Sequence, residues 1–268
     1  MLDDKCFIIA ELSANHGGSL DIAKETVRAA KRVGADAIKL QTYTADTITL
    51  DVKTDYFKIN QETTWDGQYL YELYKGASLP WKWHKPLYDL AKEEGLICFS
   101  SPFDKTAVDF LEELDTPIYK VASFEITDIP LIKYIASKGK PIIISTGIAT
   151  KEDIKLAIKT CKEVGNSDIT ILKCTSAYPA DPEDANLMTI PDIAEQFGVK
   201  SGLSDHTLGI EAPMIAVALG AKVIEKHFIL DKKIGGADAH FSLDEIEFKQ
   251  MVDAIRLTEK LMGKVDYE

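Results

Sequence analysis

The 268-residue chain is 46% hydrophobic and 28% charged, enough to bury the core of one large domain. Its formal net charge of −12 argues against non-specific attraction to nucleic acid or to an anionic membrane. No apolar run reaches the ~18 residues of a membrane span, Met1 to Cys6 does not read as a signal peptide, and Cys6, Cys98, Cys161 and Cys174 form no CxxC, so a reduced, cytoplasmic protein is expected.

In chain order, Cys6 to Leu12 (CFIIAEL) reads as strand 1. Ser19 caps a helix with Ala23, Val27 and Ala30 on one face, and Gly34 ends it. Ala37 to Thr42 is strand 2, followed by a polar and aromatic insertion from Tyr43 to about Trp83 and a helix ending near Gly95. Ile97 to Ser100 is strand 3, with Asp104 opening its helix. Ile118 to Ala122 is strand 4, and its helix runs through Ile132 and Ile135. Pro141 to Ser145 is strand 5, and Thr150 with Asp153 forms a capping box. Ile169 to Cys174 is strand 6, with Leu187 to Phe197 as its helix. Lys200 to Leu203 is strand 7, before a helix through Ala212 and Leu219. Lys222 to His227 is strand 8, and a capping box of Ser242 and Glu245 opens a last helix through Phe248, Met251, Val252 and Ile255.

Eight alternating strand–helix units imply a parallel sheet, closed as a single-domain α/β (β/α)8 TIM barrel over residues 1–268. An open doubly wound sheet is the alternative, weakened by the absence of GxGxxG after strand 1.

In a barrel the site lies at the C-terminal strand ends. Those ends carry Glu11, Asn15 and His16; Lys39 and Gln41; Ser100 and Ser101; Lys120, Ser123 and Glu125; Ser145 and Thr146; Lys173, Thr175, Ser176 and Tyr178; Ser204, Asp205 and His206; and Glu225, Lys226 and His227. Loops are polar anyway, but they favour Gly, Asn, Asp and Pro rather than repeated lysine. Lysines such as Lys39 beside a ring of Ser and Thr hydroxyls suit a phosphate and a carboxylate.

His206 and His227 end adjacent strands, ~4.8 Å apart, so they could share a divalent ion. Two hydrogen-bonded core histidines would give the same pattern, and from the pair alone that is the favoured reading. Glu11, Asp205, Glu225 and Asp238 could complete an oxygen-rich shell or anchor the imidazoles. His84 reads as a packing residue at a helix start, and His16 as loop-shaping or substrate-contacting in equal measure. Trp65, Tyr69, Tyr71 and Tyr74 read as cover over the barrel's side or mouth, which suggests a lid or specificity role for the insertion.

The segments AELSANHGG, IKLQTYTAD, FSSPFD, YKVASFEITDIPLI, IIISTG, LKCTSAYP, GLSDHTLG, VIEKHF and GGADAHFSL resemble the sialic acid synthase family in order and spacing, from about Ile8 to Arg256. WDGQYLYELY, LPWKWH and Phe124 before Glu125 look most like its pseudaminic acid branch. The family condenses phosphoenolpyruvate with an N-acetylated amino-sugar to a nine-carbon 2-keto acid and phosphate. The resemblance implies a divalent metal on His206 and His227, Mn before Mg or Co. It implies Lys120, Ser101, Ser123, Ser145, Ser176 and Ser204 around phosphoenolpyruvate, and Gln41, Tyr178 and Asp238 near the sugar. Glu125, Lys120 and Glu11 are the expected catalytic residues.

Two positions depart from the common pattern: Ser176 is asparagine in many relatives, and Ala239 stands where sialic acid synthases often have histidine. Family members also continue into an antifreeze-like C-terminal domain that gives an arginine to the neighbouring subunit of a homodimer. That domain is expected to be absent here, since the sequence ends at Glu268. N-acetylneuraminate or legionaminate synthesis, a Schiff-base aldolase using Lys120 or Lys173, and a barrel that binds without turnover are the alternatives.

Overall fold

The computed structural model describes residues 5–60 and 65–267. The reading of the N-terminal segment therefore lies outside the described residues for positions 1–4, and the insertion does so for positions 61–64.

Eight strands close into a parallel barrel in sequence order: β1 Phe7–Glu11, β2 Ala37–Thr42, β3 Ile97–Pro102, β4 Tyr119–Val121, β5 Ile142–Ser145, β6 Ile169–Cys174, β7 Lys200–Asp205 and β8 Val223–His227. The closure is direct, with β1 paired to β8 from Phe7↔Val223 to Glu11↔His227. The open-sheet alternative is thereby excluded. Around the barrel run α1 Leu20–Arg32, α2 Ala45–Ile48, α3 Leu70–Ala77, α4 Trp81–Glu93, α5 Lys105–Glu113, α6 Ile129–Ala136, α7 Lys151–Glu163, α8 Thr189–Phe197, α9 Glu211–Ala218 and α10 Glu245–Met262. No helix among the described residues is long and apolar enough to cross a membrane.

The strands are buried on both faces, so their hydropathy does not alternate even though their side chains do. Ile8 and Ala10 of β1, with Leu12 just after it, join Ile38 and Leu40 under α1, α4, α9 and α10. Val121, Ile142, Ile144, Ile169 and Ile171 pack under α5, α6, α7 and α8. The intervening residues Phe7, Ile9, Ala37, Phe99, Ile118, Ile143, Leu172 and Val223 form an inner cluster that plugs the barrel. On β1, β2, β4 and β8 the next inward positions are Glu11, Lys39, Lys120 and Glu225, all buried. The functional end of the barrel therefore rests on a dry apolar floor.

Helix starts follow the chemistry of capping. Ser19, Asp104 and Asp128 each accept a backbone N–H of the helix they open, and Thr150 with Asp153 closes the expected capping box. The last helix differs from its sequence reading. Its cap is Asp244, paired with Glu247, not Ser242 with Glu245. Leu243 is still extended, since its N–H donates to His227 O, and the Ser242 hydroxyl donates to Asp238 O, so neither is free to start a helix. The insertion after β2 contains α2 and α3, which the sequence reading did not resolve.

Candidate active site

The strand ends gather most of the expected residues into one buried cluster. Lys39 Nζ lies 2.6 Å from Glu11 Oε2 and 3.6 Å from Glu225 Oε1, and Lys120 Nζ lies 3.7 Å from the same Glu225 oxygen. Two ammonium groups and two carboxylates thus share a pocket from which water is nearly excluded, so each ion is held mainly by its neighbours. Burial pulls Lys39 down, but Glu11 and Glu225 outweigh it and hold it above its ordinary pKa. For Lys120 burial outweighs the pull of Glu225, and Lys39 adds to it, so its pKa is lowered. Burial resists ionisation of Glu225 too, but two lysines overcome it and its pKa falls.

Hydroxyls complete this half of the site. Lys39 donates to Ser101 Oγ at 3.3 Å, and Ser204 donates to Glu225 Oε1 at 3.2 Å. The Gly147 N–H donates to Ser123 Oγ at 3.1 Å. Ser145 Oγ and Ser176 Oγ are buried and have no partner among the described groups. A Cβ on Gly147 would come within 1.9 Å of Ser176 Oγ and 2.8 Å of Ser123 Oγ. Glycine at this position keeps both hydroxyls turned into an open cradle. Idle buried donors beside paired lysines are what a phosphate or carboxylate needs.

Gln41 Nε2 donates to Glu11 Oε1 at 3.0 Å and to Ser13 Oγ at 3.1 Å. Ser13 holds a left-handed φ of 45°, a strained conformation for serine that persists because its neighbours fix it. Glu125 stands in a 3-10 turn just after β4. Burial raises its carboxyl to about 7, against a smaller opposing pull from its own backbone N–H and from Lys120. Its Oε2 is buried without a hydrogen-bond partner.

The histidine pair lies on the other side. The His206 and His227 ring centroids are 5.3 Å apart. His206 Nδ1 is 2.9 Å from Thr175 O, which can only accept, so Nδ1 carries the hydrogen and Nε2 is left with a lone pair. Asp238 Oδ2 lies 3.6 Å from His227 Nδ1 and accepts the Ala14 N–H at 3.2 Å. Tyr178 packs 4.3 Å from the His206 ring and 6.4 Å from His227, and Phe241 lies 4.9 Å from His227. Two converging imidazoles with aromatic walls fit an ion held by two protein nitrogens. Among the described residues no group of three or more His, Cys, Asp or Glu side chains is arranged to hold a metal ion.

Residues 26–267 match the family described as the NeuB family. Over 97% of this chain and 76% of the relative, the sequence is 52% identical to a pseudaminic acid synthase of Campylobacter jejuni. The chain belongs to the NeuB family. It is also 52% identical to a pseudaminic acid synthase of Helicobacter pylori, over 96% of this chain and 75% of that protein. Among solved structures, the N-acetylneuraminic acid synthetase of Leptospira borgpetersenii superposes with a TM-score of 0.87 at 32% identity, covering 98% of this chain and 87% of that one.

Within this NeuB-family site the oxygen-rich shell read from the sequence does not assemble around the histidines. Glu11 and Glu225 serve the lysines, and Asp205 pairs with Lys226 beneath the loop. Asp238 is the carboxylate of the four that pairs with an imidazole among the described residues. His16 proves loop-shaping: its Nδ1 accepts the Gly18 N–H, its Nε2 meets Ala77 O, and its ring lies edge-on to Trp83. His84 is buried against Thr42 Oγ1, and burial lowers it to about 4, as a packing histidine should be.

Of the aromatic insertion, Trp65 reaches the mouth. Its Nε1 donates to Ala237 O, and its ring is 6.1 Å from Tyr178. Tyr71 instead bonds Asp46 within the insertion. The sequence reading gives Cys174 no place in the site, but its Sγ is 3.8 Å from His206 Nδ1. It also missed Ser13, Gly147 and Phe241; a glycine directly after a strand-end Ser-Thr pair was the available signal for Gly147.

Proposed function

We propose that the chain condenses phosphoenolpyruvate with an N-acetylated amino-sugar of the 2,4-diacetamido-2,4,6-trideoxyhexose type, giving a nine-carbon, pseudaminic acid-like nonulosonic acid and phosphate. The observation that carries this reading is the buried Lys39–Lys120 cradle with its idle Ser145 and Ser176 hydroxyls, set beside two converging imidazoles. The 52% identity to pseudaminic acid synthases favours that product over its legionaminic and N-acetylneuraminic counterparts.

Lys39 and Lys120 offset the charge of phosphoenolpyruvate, while Ser101, Ser123, Ser145, Ser176 and Ser204 supply short-range donors. Gln41, Tyr178 and Asp238 orient the sugar. A divalent ion on His206 and His227, read as Mn, supplies Lewis-acid polarisation of the sugar aldehyde when bound. C3 of phosphoenolpyruvate attacks the aldehyde carbon, positive charge develops at C2, water adds there, and phosphate leaves by C–O cleavage. Glu125 as a carboxylate supports the cationic C2 and takes a proton from the incoming water. Glu11 holds Lys39 and Gln41 in place for both substrates.

Mass detection of product from phosphoenolpyruvate, Mn and a panel of N-acetylated hexoses tests the reading. A product heavier than the sugar by one pyruvate unit, formed from the trideoxy sugar in preference to N-acetylmannosamine, is expected. Borohydride-trapped pyruvate on Lys120 or Lys173 would replace it with an aldolase.

The anion cradle makes its own prediction. Lys120→Met should raise KM for phosphoenolpyruvate about 100-fold, ~2–3 kcal/mol for a lost charge-assisted contact, and leave KM for the sugar within a few-fold. Steady-state kinetics with each substrate varied reads this directly. A change confined to the sugar would reverse the assignment.

A further inference from the structure

Lys226 is a buried charged residue that no part of the proposed chemistry uses. Its ammonium is wholly buried, facing away from the barrel interior, whereas its neighbours Glu225 and His227 on β8 face inward. A buried ammonium is retained only where partners hold it. Its partners all lie around the other histidine. Lys226 Nζ donates to Asp205 Oδ2 and to Thr207 O, each at 2.5 Å. Asp205 Oδ1 in turn accepts the Thr207 N–H at 3.0 Å and the Thr207 hydroxyl at 2.9 Å. One buried cation therefore ties together the residues on both sides of His206, while its own backbone carries His227 one step along the chain. The outer side of the loop is fixed as well: Ala180 N–H donates to His206 O at 2.9 Å. The clamp spans the β7–β8 seam, where Asp205 and Lys226 are register partners. At that seam a Cβ on Gly202 would fall 2.2 Å from Val223 O, so the two strands approach closely and have little freedom to shift.

We propose that Lys226 is a positioning residue of the two-histidine ion site, setting the separation of His206 and His227 through Asp205 and Thr207. The inference rests on the reading of those histidines as metal ligands. An ion held by two protein nitrogens depends on their spacing more than one held by four, and partners outside the ligand shell commonly govern affinity by 10–100-fold. Lys226 and Asp205 are buried charges that hold both sides of His206 in place.

The test measures Mn(II) binding from the electron paramagnetic resonance signal of the free ion, and phosphoenolpyruvate binding by calorimetry without metal. It uses wild type, Lys226→Met, Asp205→Asn and Thr207→Val. Wild type should bind Mn(II) at one site. Lys226→Met and Asp205→Asn should weaken that affinity 10–100-fold, and Thr207→Val, which loses one hydroxyl and no charge, by less than 10-fold. Phosphoenolpyruvate affinity should stay within 3-fold in all three, because Lys39 and Lys120, which offset its charge, stand on β2 and β4, and of its hydroxyls Ser204 alone lies on β7. A loss of phosphoenolpyruvate binding in parallel with Mn(II) would assign Lys226 to general stability and overturn the proposal. So would unchanged Mn(II) affinity in Lys226→Met, or in Thr207→Val and Asp205→Asn should Lys226→Met not fold. Failure of wild type to bind Mn(II) would overturn the histidine reading itself, and is distinguished by being seen before any substitution.

Discussion

Changing His206 and His227 together to glutamine should abolish stoichiometric Mn(II) binding and reduce turnover by at least ~10³-fold, equivalent to ~4 kcal/mol of transition-state stabilisation. The fold should survive. The loop carrying His206 is held by backbone and neighbouring contacts, including Ala180 N–H to His206 O and the Lys226–Asp205 pair, none of which needs the imidazole. His227 is flanked by backbone ladder bonds on β8, and Leu243 N–H donates to its carbonyl. Circular dichroism and thermal unfolding report the fold, and metal titration reports the site. Undiminished Mn(II) affinity in a folded double variant would place the ion elsewhere. Retained turnover without Mn(II) would remove the Lewis-acid role.

Glu125→Gln should lower kcat by ~10²–10³-fold, within the range for loss of a positioned acid–base group, with the phosphoenolpyruvate and sugar KM values little changed. The substitution is nearly isosteric, so the effect reads the charge and the proton. Burial holds the Glu125 carboxyl near 7, so about half of it is ionised at neutral pH. The proposed role needs the ionised form, and kcat should therefore fall as pH drops through 7. That acid limb should vanish in Glu125→Gln. A limb that persists in the variant belongs to another group, and a loss of less than 10-fold would demote Glu125 to a binding residue.

The eight strands and their order are legible in the chain because each strand–helix unit carries its own signals: a buried β-rich run, a capping residue and a helical apolar face. The observed strands match the sequence reading within a residue or two, and β3 runs on to Pro102. The helix cap at α10 was misassigned because Ser242–Glu245 and Asp244–Glu247 both place an acid three residues after a capping side chain. Sequence spacing cannot choose between them. The choice was made by the extended contact of Leu243 with His227, a partner 16 positions away.

The site was legible as a set of polar strand ends, and its internal pairing was not. Glu11, Asp205 and Glu225 looked interchangeable as carboxylates near two histidines. In the folded chain Glu11 and Glu225 hold lysines, and Asp205 holds the cation under a loop. The reason is the two-residue period of a strand in a barrel that is buried on both sides. Glu225 and Lys226 are adjacent in sequence and equally polar, yet one meets Ser204 and the buried lysines while the other turns to Asp205 and Thr207. Hydropathy gives no clue to which is which when both faces are dry. By itself the sequence determined the strand–helix units and the identity of the polar groups offered at the strand ends, since these follow from local pattern, whereas closure rests on the pairing of β1 with β8. Only the tertiary structure decided that Lys39 meets Glu11 and Glu225, that Lys120 pairs with Glu225, and that Lys226 spans the two histidine strands, because barrel closure fixes the register between segments far apart in the chain.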